Sequence, residues 1–198
     1  MHAGRPCTFV RLTGCNLRCS YCDTRYAYDQ GFDMDIKQII RQIDTYKCPL
    51  LEITGGEPLL QTQTPLLIKK LLLNGYQVLL ETNGSLDIST VDRQCIKIVD
   101  FKCPSSLESD KNKFDNMQYL SPLDQIKLVI GNRTDYNYAK QIIKNKRDDL
   151  PMAHILFSPV ANKLSPELLA RWILADGLGI RLHLQIHKII WPNQTRGV

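Results

Sequence analysis

The sequence predicts an α/β protein whose mostly parallel sheet is open, or only partly closed as a barrel. Three observations carry that expectation. Short apolar runs of strand length alternate with segments whose apolar residues recur at helical spacing, the pattern of strands joined by crossovers. Several runs are apolar without strict alternation, which suits strands covered on both faces. The chain has 198 residues, fewer than the roughly 250 that a complete eightfold barrel uses.

The elements follow in order, about seven strands and five helices in all. Residues 7–12 (CTFVRL) read as the first strand, and a cysteine-rich loop runs on to about Thr24. Asp35 is placed to cap a helix carrying Ile36, Ile39, Ile40 and Ile43 at helical spacing. Residues 50–53 form a short strand entering a Gly-Gly turn, and Thr64-Pro65 opens a helix that stops at Gly75. Strands follow at 77–81, 96–101 and 125–130. Residues 103–123, polar and without a clean helical period, read as a loop-rich connection. Thr134 or Asp135 starts a helix to about Lys146, 154–157 is a strand, Ser165-Pro166 opens a helix to about Ala175, and 181–186 is the last strand. No repeat, low-complexity tract or linker divides the chain, so residues 1–198 are expected to form one domain.

Composition narrows the class. Hydrophobic residues make up 43% and charged residues 23%, ordinary globular values that exclude disorder, collagen and coiled coil. No apolar run approaches the roughly 18 residues of a membrane span. The start, Met1-His2-Ala3-Gly4, does not read as a signal peptide, so the expected compartment is the cytoplasm. The net charge of +5 permits an anionic substrate. The densest basic run, Lys144-Asn145-Lys146-Arg147, falls at a predicted helix end, where cations are favourable, so neither nucleic acid nor membrane is an expected partner. Seven cysteines, an odd number without an export signal, favour metal or redox chemistry over a disulfide framework.

The sharpest features all follow predicted strands: Cys15 to Cys22, Gly55-Gly56-Glu57-Pro58, Thr82-Asn83-Gly84 and Ser158-Pro159. In parallel α/β sheets the ligand site lies beyond the carboxyl ends of the strands, so these distant segments should line one pocket. Cys15, Cys19 and Cys22 have the spacing C-x3-C-x2-C. Three thiolates on one short loop can take three corners of a cubane iron–sulfur cluster and leave one iron open. Structural zinc, which prefers four ligands, and buried free thiols are the ordinary alternatives.

This loop, with Tyr21 before its last cysteine, resembles that of the radical S-adenosylmethionine (SAM) superfamily, and Gly55-Gly56-Glu57-Pro58 resembles the superfamily's GGEP motif. The resemblance sharpens the fold expectation to a partial (β/α) barrel of the radical SAM type, with about six to seven mostly parallel strands and few helices. Ala3-Gly4-Arg5-Pro6, the run from Phe9 to Leu17, Cys22-Asp23-Thr24, Thr54 to Leu59, Glu81-Thr82-Asn83-Gly84, Asp100 to Ser106 and Gln185-Ile186-His187-Lys188 together resemble the 7-carboxy-7-deazaguanine synthase family. That resemblance implies a ring contraction. 6-Carboxy-5,6,7,8-tetrahydropterin becomes 7-carboxy-7-deazaguanine with loss of ammonia, assisted by Mg2+, on the route to queuosine and other 7-deazapurines.

Roles follow from the resemblance. Cys15, Cys19 and Cys22 would hold a [4Fe-4S] cluster and Thr24 would bind Mg2+. Gly55, Gly56 and Glu57 would face SAM, with Ser105 and Ser158 as further SAM contacts. Arg11, Thr54, Asn83 and the terminal Val198 would touch substrate, and Glu81 and His187 would act in catalysis. Each has an ordinary reading too: a capping hydroxyl for Thr24, a surface ion pair for Arg11, a helix-start acid for Glu81 and a structural imidazole for His187. Gly56 is expected to leave room for close approach of SAM. A flavodoxin or ferredoxin electron donor and a homodimer are implied as partners. Family members usually carry a further strand and a Gln-Gly-Glu segment before this start, so either the true start lies upstream or this chain lacks a wall of the pocket and an edge strand, which would leave a sheet edge unpaired. Two rival readings remain: a glycyl-radical-enzyme activase of the same superfamily, and a non-catalytic iron–sulfur binding module.

Overall fold

The structure is a computed structural model that describes residues 2–194. Its seven strands are β1 (Thr8–Leu12), β2 (Leu50–Gly55), β3 (Gln77–Thr82), β4 (Ile96–Phe101), β5 (Gln125–Ile130), β6 (Ile155–Pro159) and β7 (Arg181–Leu182). They form one sheet in sequence order, and all six neighbouring pairs are parallel. Five α-helices accompany them: α1 (Ile36–Thr45), α2 (Thr64–Leu73), α3 (Arg133–Lys144), α4 (Pro166–Ala175) and α5 (Ile186–Ile190). This is the open, helix-poor α/β barrel that the sequence predicts.

Local chemistry sets the elements. Asp35 caps α1 in a reciprocal capping box with Gln38. Ser165 caps α4, and Pro166 stands in its first turn. Helix α3 begins at Arg133, earlier than expected, because the Asn132 side chain accepts from the Asp135 amide and serves as the cap. The 103–123 connection contains three short 3-10 turns. Side-chain hydrogen bonds take the place of a helix there: Asn116 spans the carbonyls of Gly84 and Leu86, and Asn112 brackets the backbone of Lys102.

The final strand departs from expectation. It is limited to Arg181–Leu182, and Ile186–Ile190 is helical, so His187 and Lys188 lie on α5 rather than at a strand end. The alternation of Leu182, Leu184 and Ile186 reads as a strand, but β7 is an edge with β6 as its partner. The spacing of Ile186, Ile189 and Ile190 fits a helix equally well, and Pro192 ends it.

The sheet has two unlike faces. The helix-covered face carries the main core, including Ile53, Leu80, Val99, Ile126, Leu128 and Phe157. Burying each such side chain contributes about 1.5–3 kcal/mol. On the other face Leu50, Leu79, Ile96, Ile98 and Leu156, with Cys7 and Cys48 packed against them, form a separate apolar layer toward the strand starts. Side chains of alternate residues share a face. The same inner face therefore continues, toward the carboxyl ends, through Arg11, Glu52, Thr54, Glu81, Asp100, Lys127 and Ser158. The barrel interior is dry at one end and charged at the other.

Candidate active site

The cysteine loop lies at the charged end. Gly14, at φ +98°, turns the chain out of β1, and its amide donates to the Ala27 carbonyl at 2.8 Å. The loop is fastened throughout. The Ser20 amide and hydroxyl donate to the carbonyls of Ser106 and Ser105, Arg18 donates to the carbonyls of Cys15 and Leu17, and the Arg18 amide donates to Glu108. Cys15, Cys19 and Cys22 are free thiols, each partly exposed. Burial pushes the thiols of Cys15 and Cys19 up, while Lys102 pulls in the opposite direction. Thiols clustered this way need a cation to ionise together. Among the described residues no three Cys, His, Asp or Glu side chains converge on a single metal ion. A cubane instead presents separate corners to its thiolates, and a spread triad suits that arrangement.

The Gly-Gly-Glu-Pro turn packs directly on this loop. The Gly56 amide donates to the Leu12 carbonyl at 3.0 Å and the Glu57 amide to the Gly14 carbonyl at 2.7 Å. A Cβ on Gly56 would stand 2.2 Å from the Gly14 oxygen and 2.7 Å from Cys15 Cβ. The close approach that Gly56 permits is thus to the cysteine loop. Glu57 is fully buried, and both carboxylate oxygens are taken. It accepts from the Leu59 amide at 3.0 Å, the Thr82 hydroxyl at 2.8 Å and the Asn83 amide at 2.7 Å. Burial pushes its pKa up against those bonds. Glu57 therefore joins the ends of β2 and β3. Asn83 completes the joint, with its side-chain amide donating to Asn16 in the cysteine loop at 3.1 Å.

The other predicted residues fall around the same mouth. Thr54 is buried beside Arg11 in the β1–β2 register. Arg11 donates to the Gly55 carbonyl at 3.3 Å and lies over the Tyr26 ring. The Thr24 hydroxyl is 3.8 Å from Cys22 Sγ. Asp23, between Cys22 and Thr24, accepts from Gln185 at 3.0 Å and Lys188 at 2.6 Å, so α5 is drawn onto the loop and carries His187 with it. Burial lowers the His187 pKa, with Lys188 adding to the effect. Ser158 is buried on β6. Ser105 lies beside the loop, but both its amide and its hydroxyl donate to Asp135. Val198 lies outside the described residues.

Three charged or titratable groups in this mouth, Glu52, Lys127 and His183, are not evident from motifs. Lys127 lies 2.5 Å from Glu81, and Lys102 lies 2.9 Å from Asp100. Glu52, on the neighbouring strand, faces the same interior, and burial, with the Glu81 charge adding to it, pushes its carboxyl well up. Lys127 holds the Glu81 carboxyl down at about 2 despite its burial. Burial, with Lys127 adding to it, lowers His183 to about 4, and its Nδ1 is buried without a partner, as are Tyr21 Oη and Asp100 Oδ1. Orphaned polar atoms gathered in one mouth mark a place built for a ligand. The sequence signal for these groups was a charge at alternate positions of otherwise apolar strands, as in LLEITG, IKIVDF and QIKLVI.

His183 carries a stability prediction. Its folded pKa lies below its unfolded value near 6.5, so its contribution is complete above that pH and is lost as pH falls toward about 4. Urea midpoints between pH 7 and pH 5 are expected to fall more steeply for the natural chain than for His183→Asn.

The sequence and the fold resemble those of known proteins. Residues 9–103 match the model of the Radical SAM superfamily, and the chain is a protein of that class. Across its whole length it is 39% identical to the 7-carboxy-7-deazaguanine synthase of Koribacter versatilis (strain Ellin345), with 100% of this chain and 93% of that one aligned. It is 42% identical to the synthase of the same name from Chlorobaculum tepidum, over 99% of this chain and 90% of that one. The chain belongs to the 7-carboxy-7-deazaguanine synthase family of radical SAM enzymes. The crystal structure of QueE from Escherichia coli superposes with a TM-score of 0.69 at 21% identity, over 92% of this chain and 86% of that one. SuiB from Streptococcus suis gives a TM-score of 0.65 at 11% identity, over 90% of this chain and 48% of that one. These two likenesses show the fold. Membership of the class implies a [4Fe-4S] cluster and SAM as cofactors.

Proposed function

We propose that this chain converts 6-carboxy-5,6,7,8-tetrahydropterin to 7-carboxy-7-deazaguanine with release of ammonia, in 7-deazapurine biosynthesis. The observation that carries this reading is the charged inner layer of Arg11, Glu81 and Lys127 at the barrel end where the cysteine loop lies. A pterin presents a carboxylate and a guanidine-like edge, and this layer offers it both cations and an anion. Bound together, the cluster and SAM supply one-electron reductive cleavage and hydrogen-atom abstraction.

The chain's own residues hold and orient. Cys15, Cys19 and Cys22 are assigned to the cluster, and Thr24 to Mg2+, a hard cation that keeps positions for water and a substrate carboxylate. Arg11 and Thr54 are assigned to the substrate carboxyl side, and Glu81 to the N–H groups of its guanidine-like edge. His187, on α5, is assigned to catalysis in a segment that closes the mouth. The SAM-facing role falls to the backbone at Gly55 and Gly56 and to Ser158. Glu57 and Ser105, whose polar atoms are spent within the protein, support that surface, and Asn83 holds it against the loop. The whole chain is taken to act as one domain in the cytoplasm, as a homodimer reduced by a flavodoxin or ferredoxin. No helix among the described residues is long and apolar enough to cross a membrane.

The test is turnover without any protein partner. Anaerobically reconstituted protein given SAM, Mg2+, dithionite and the pterin is expected to release ammonia as the pterin disappears. A requirement for a second protein as substrate would favour the glycyl-radical activase reading instead.

A further inference from the structure

Little burial holds α5 in place. The helix is five residues long and none of them is buried. Ile189 is 66% and Ile190 57% exposed. A helix this short does not persist in water by itself. Before it, the chain is fixed by the His183 amide, which donates to the Phe157 carbonyl at 2.8 Å. Beyond that point, among the described residues, the side-chain hydrogen bonds from 185–194 to the rest of the chain both end on one atom, Asp23 Oδ2. Gln185 reaches it at 3.0 Å and Lys188 at 2.6 Å. Donors three residues apart share a helix side, so this single oxygen sets both the position and the rotation of α5. Asp23 is in turn fixed by the cysteine loop, since it follows Cys22 directly. The Cys22 amide donates to the Cys19 carbonyl at 3.1 Å, and the Thr24 carbonyl accepts from the Ala27 amide at 2.9 Å. Arg25 fastens the same turn by donating to the Ser20 carbonyl at 3.1 Å. Whatever the three thiols hold therefore acts on Asp23 through the adjoining peptide bond. An ion pair as exposed as this one (Lys188 35%, Asp23 46%) ordinarily contributes little. It decides here because α5 has no buried apolar side chain to outweigh it.

We propose that Asp23 is a positioning residue that couples the cysteine loop to α5. A loop set by its cluster presents Oδ2 to Gln185 and Lys188 and seats α5, with His187, beside the mouth. A seated α5 in return holds the loop on its cluster. The proposal rests on the assignment of the cluster to Cys15, Cys19 and Cys22 and is independent of the pterin. The gain is order of assembly: the mouth is completed only in protein whose loop is loaded. Coupling of this kind is reciprocal, so it has two signatures. Loading the loop should quiet α5, and cutting α5 loose should weaken the loop's hold on iron.

Hydrogen exchange and iron retention, measured anaerobically on the full chain, test this without turnover. In the natural chain, amide exchange over 187–191 should slow about threefold when the cluster is reconstituted. In reconstituted Asp23→Ala, which removes the acceptor, that exchange should rise about tenfold while exchange in β4 is unchanged. Asp23→Asn, whose side-chain carbonyl still accepts from both donors, should fall between the two. Lys188→Met alters no residue of the loop, yet its reconstituted form should lose iron to a chelator about two- to fivefold faster than the natural chain. Added to Asp23→Ala, Lys188→Met should change neither reading further, because its partner is already gone. Equal α5 exchange with and without the cluster, or iron loss unchanged in Lys188→Met, overturns the coupling. A Lys188→Met effect that persists in full beside Asp23→Ala overturns the role of Asp23. If the natural chain takes up no cluster, the ligand assignment fails and the coupling with it, while Asp23→Ala against the natural chain still decides whether Asp23 seats α5.

Discussion

Cys19→Ala abolishes both SAM cleavage and ring contraction and leaves the fold in place. That result is expected because the three loop cysteines contribute ligation rather than core packing. Cys15, Cys19 and Cys22 are partly exposed, and the loop that carries them is fastened by Gly14, Arg18 and Ser20. Two thiolates cannot hold a cubane against loss of iron, so the reconstituted variant should lack the visible cluster absorbance while its far-UV circular dichroism is unchanged. Cys48→Ala is the matched control. Cys48 packs against the apolar layer near the strand starts, away from the loop, and its replacement should keep the cluster. Equal cluster content in the natural chain and in Cys19→Ala would contradict the ligand assignment.

The second large effect falls on stability. Glu57→Ala removes a fully buried carboxylate and strands three donors: the amides of Leu59 and Asn83 and the Thr82 hydroxyl. Each buried group left unsatisfied costs about 1–3 kcal/mol, on the order of 3–9 kcal/mol for three, and relief of the carboxylate's own burial cost offsets part of that, leaving roughly 3–5 kcal/mol. For a chain of this size that corresponds to a Tm lowered by roughly 10 °C. Glu57→Gln should fall between the two. It keeps the shape, but its NH2 must point at a donor wherever it is placed. Thermal unfolding of the three proteins checks the order. A Glu57→Ala variant as stable as the natural chain would show that the carboxylate does not join β2 to β3.

The parts of this molecule that were legible in the sequence are those specified locally. Asp35 and Ser165 announce their helices because a cap and a following apolar period lie within a few residues of each other. The cysteine spacing is legible for the same reason, since one short loop contains all three cysteines. The end of the chain was misread because residues 181–190 fit both a two-residue and a helical period, and an edge position with few neighbours does not decide between them. The inner charged layer was read only in part, through Arg11, Glu81 and the run from Asp100, for a different reason. Glu52, Glu81, Asp100 and Lys127 lie on four strands, and no local pattern records that their registers align. Charges at inward positions of buried strands were the available signal, and reading them together requires the topology. The structure also adds a local reason for a motif. Gly56 and Glu57 read as SAM-facing residues, with Glu57 serving the local loop as well; the glycine admits the Gly14 carbonyl and the glutamate binds the ends of two strands. A motif can thus serve a cofactor by building the surface that meets it.

The most direct test of the central claim is mass spectrometry of the product. The chain is reconstituted anaerobically with iron and sulfide and supplied with SAM, Mg2+, dithionite and 6-carboxy-5,6,7,8-tetrahydropterin. The account predicts 7-carboxy-7-deazaguanine from the natural chain and none from Cys19→Ala. A fully loaded cluster that leaves both SAM and the pterin intact would contradict it.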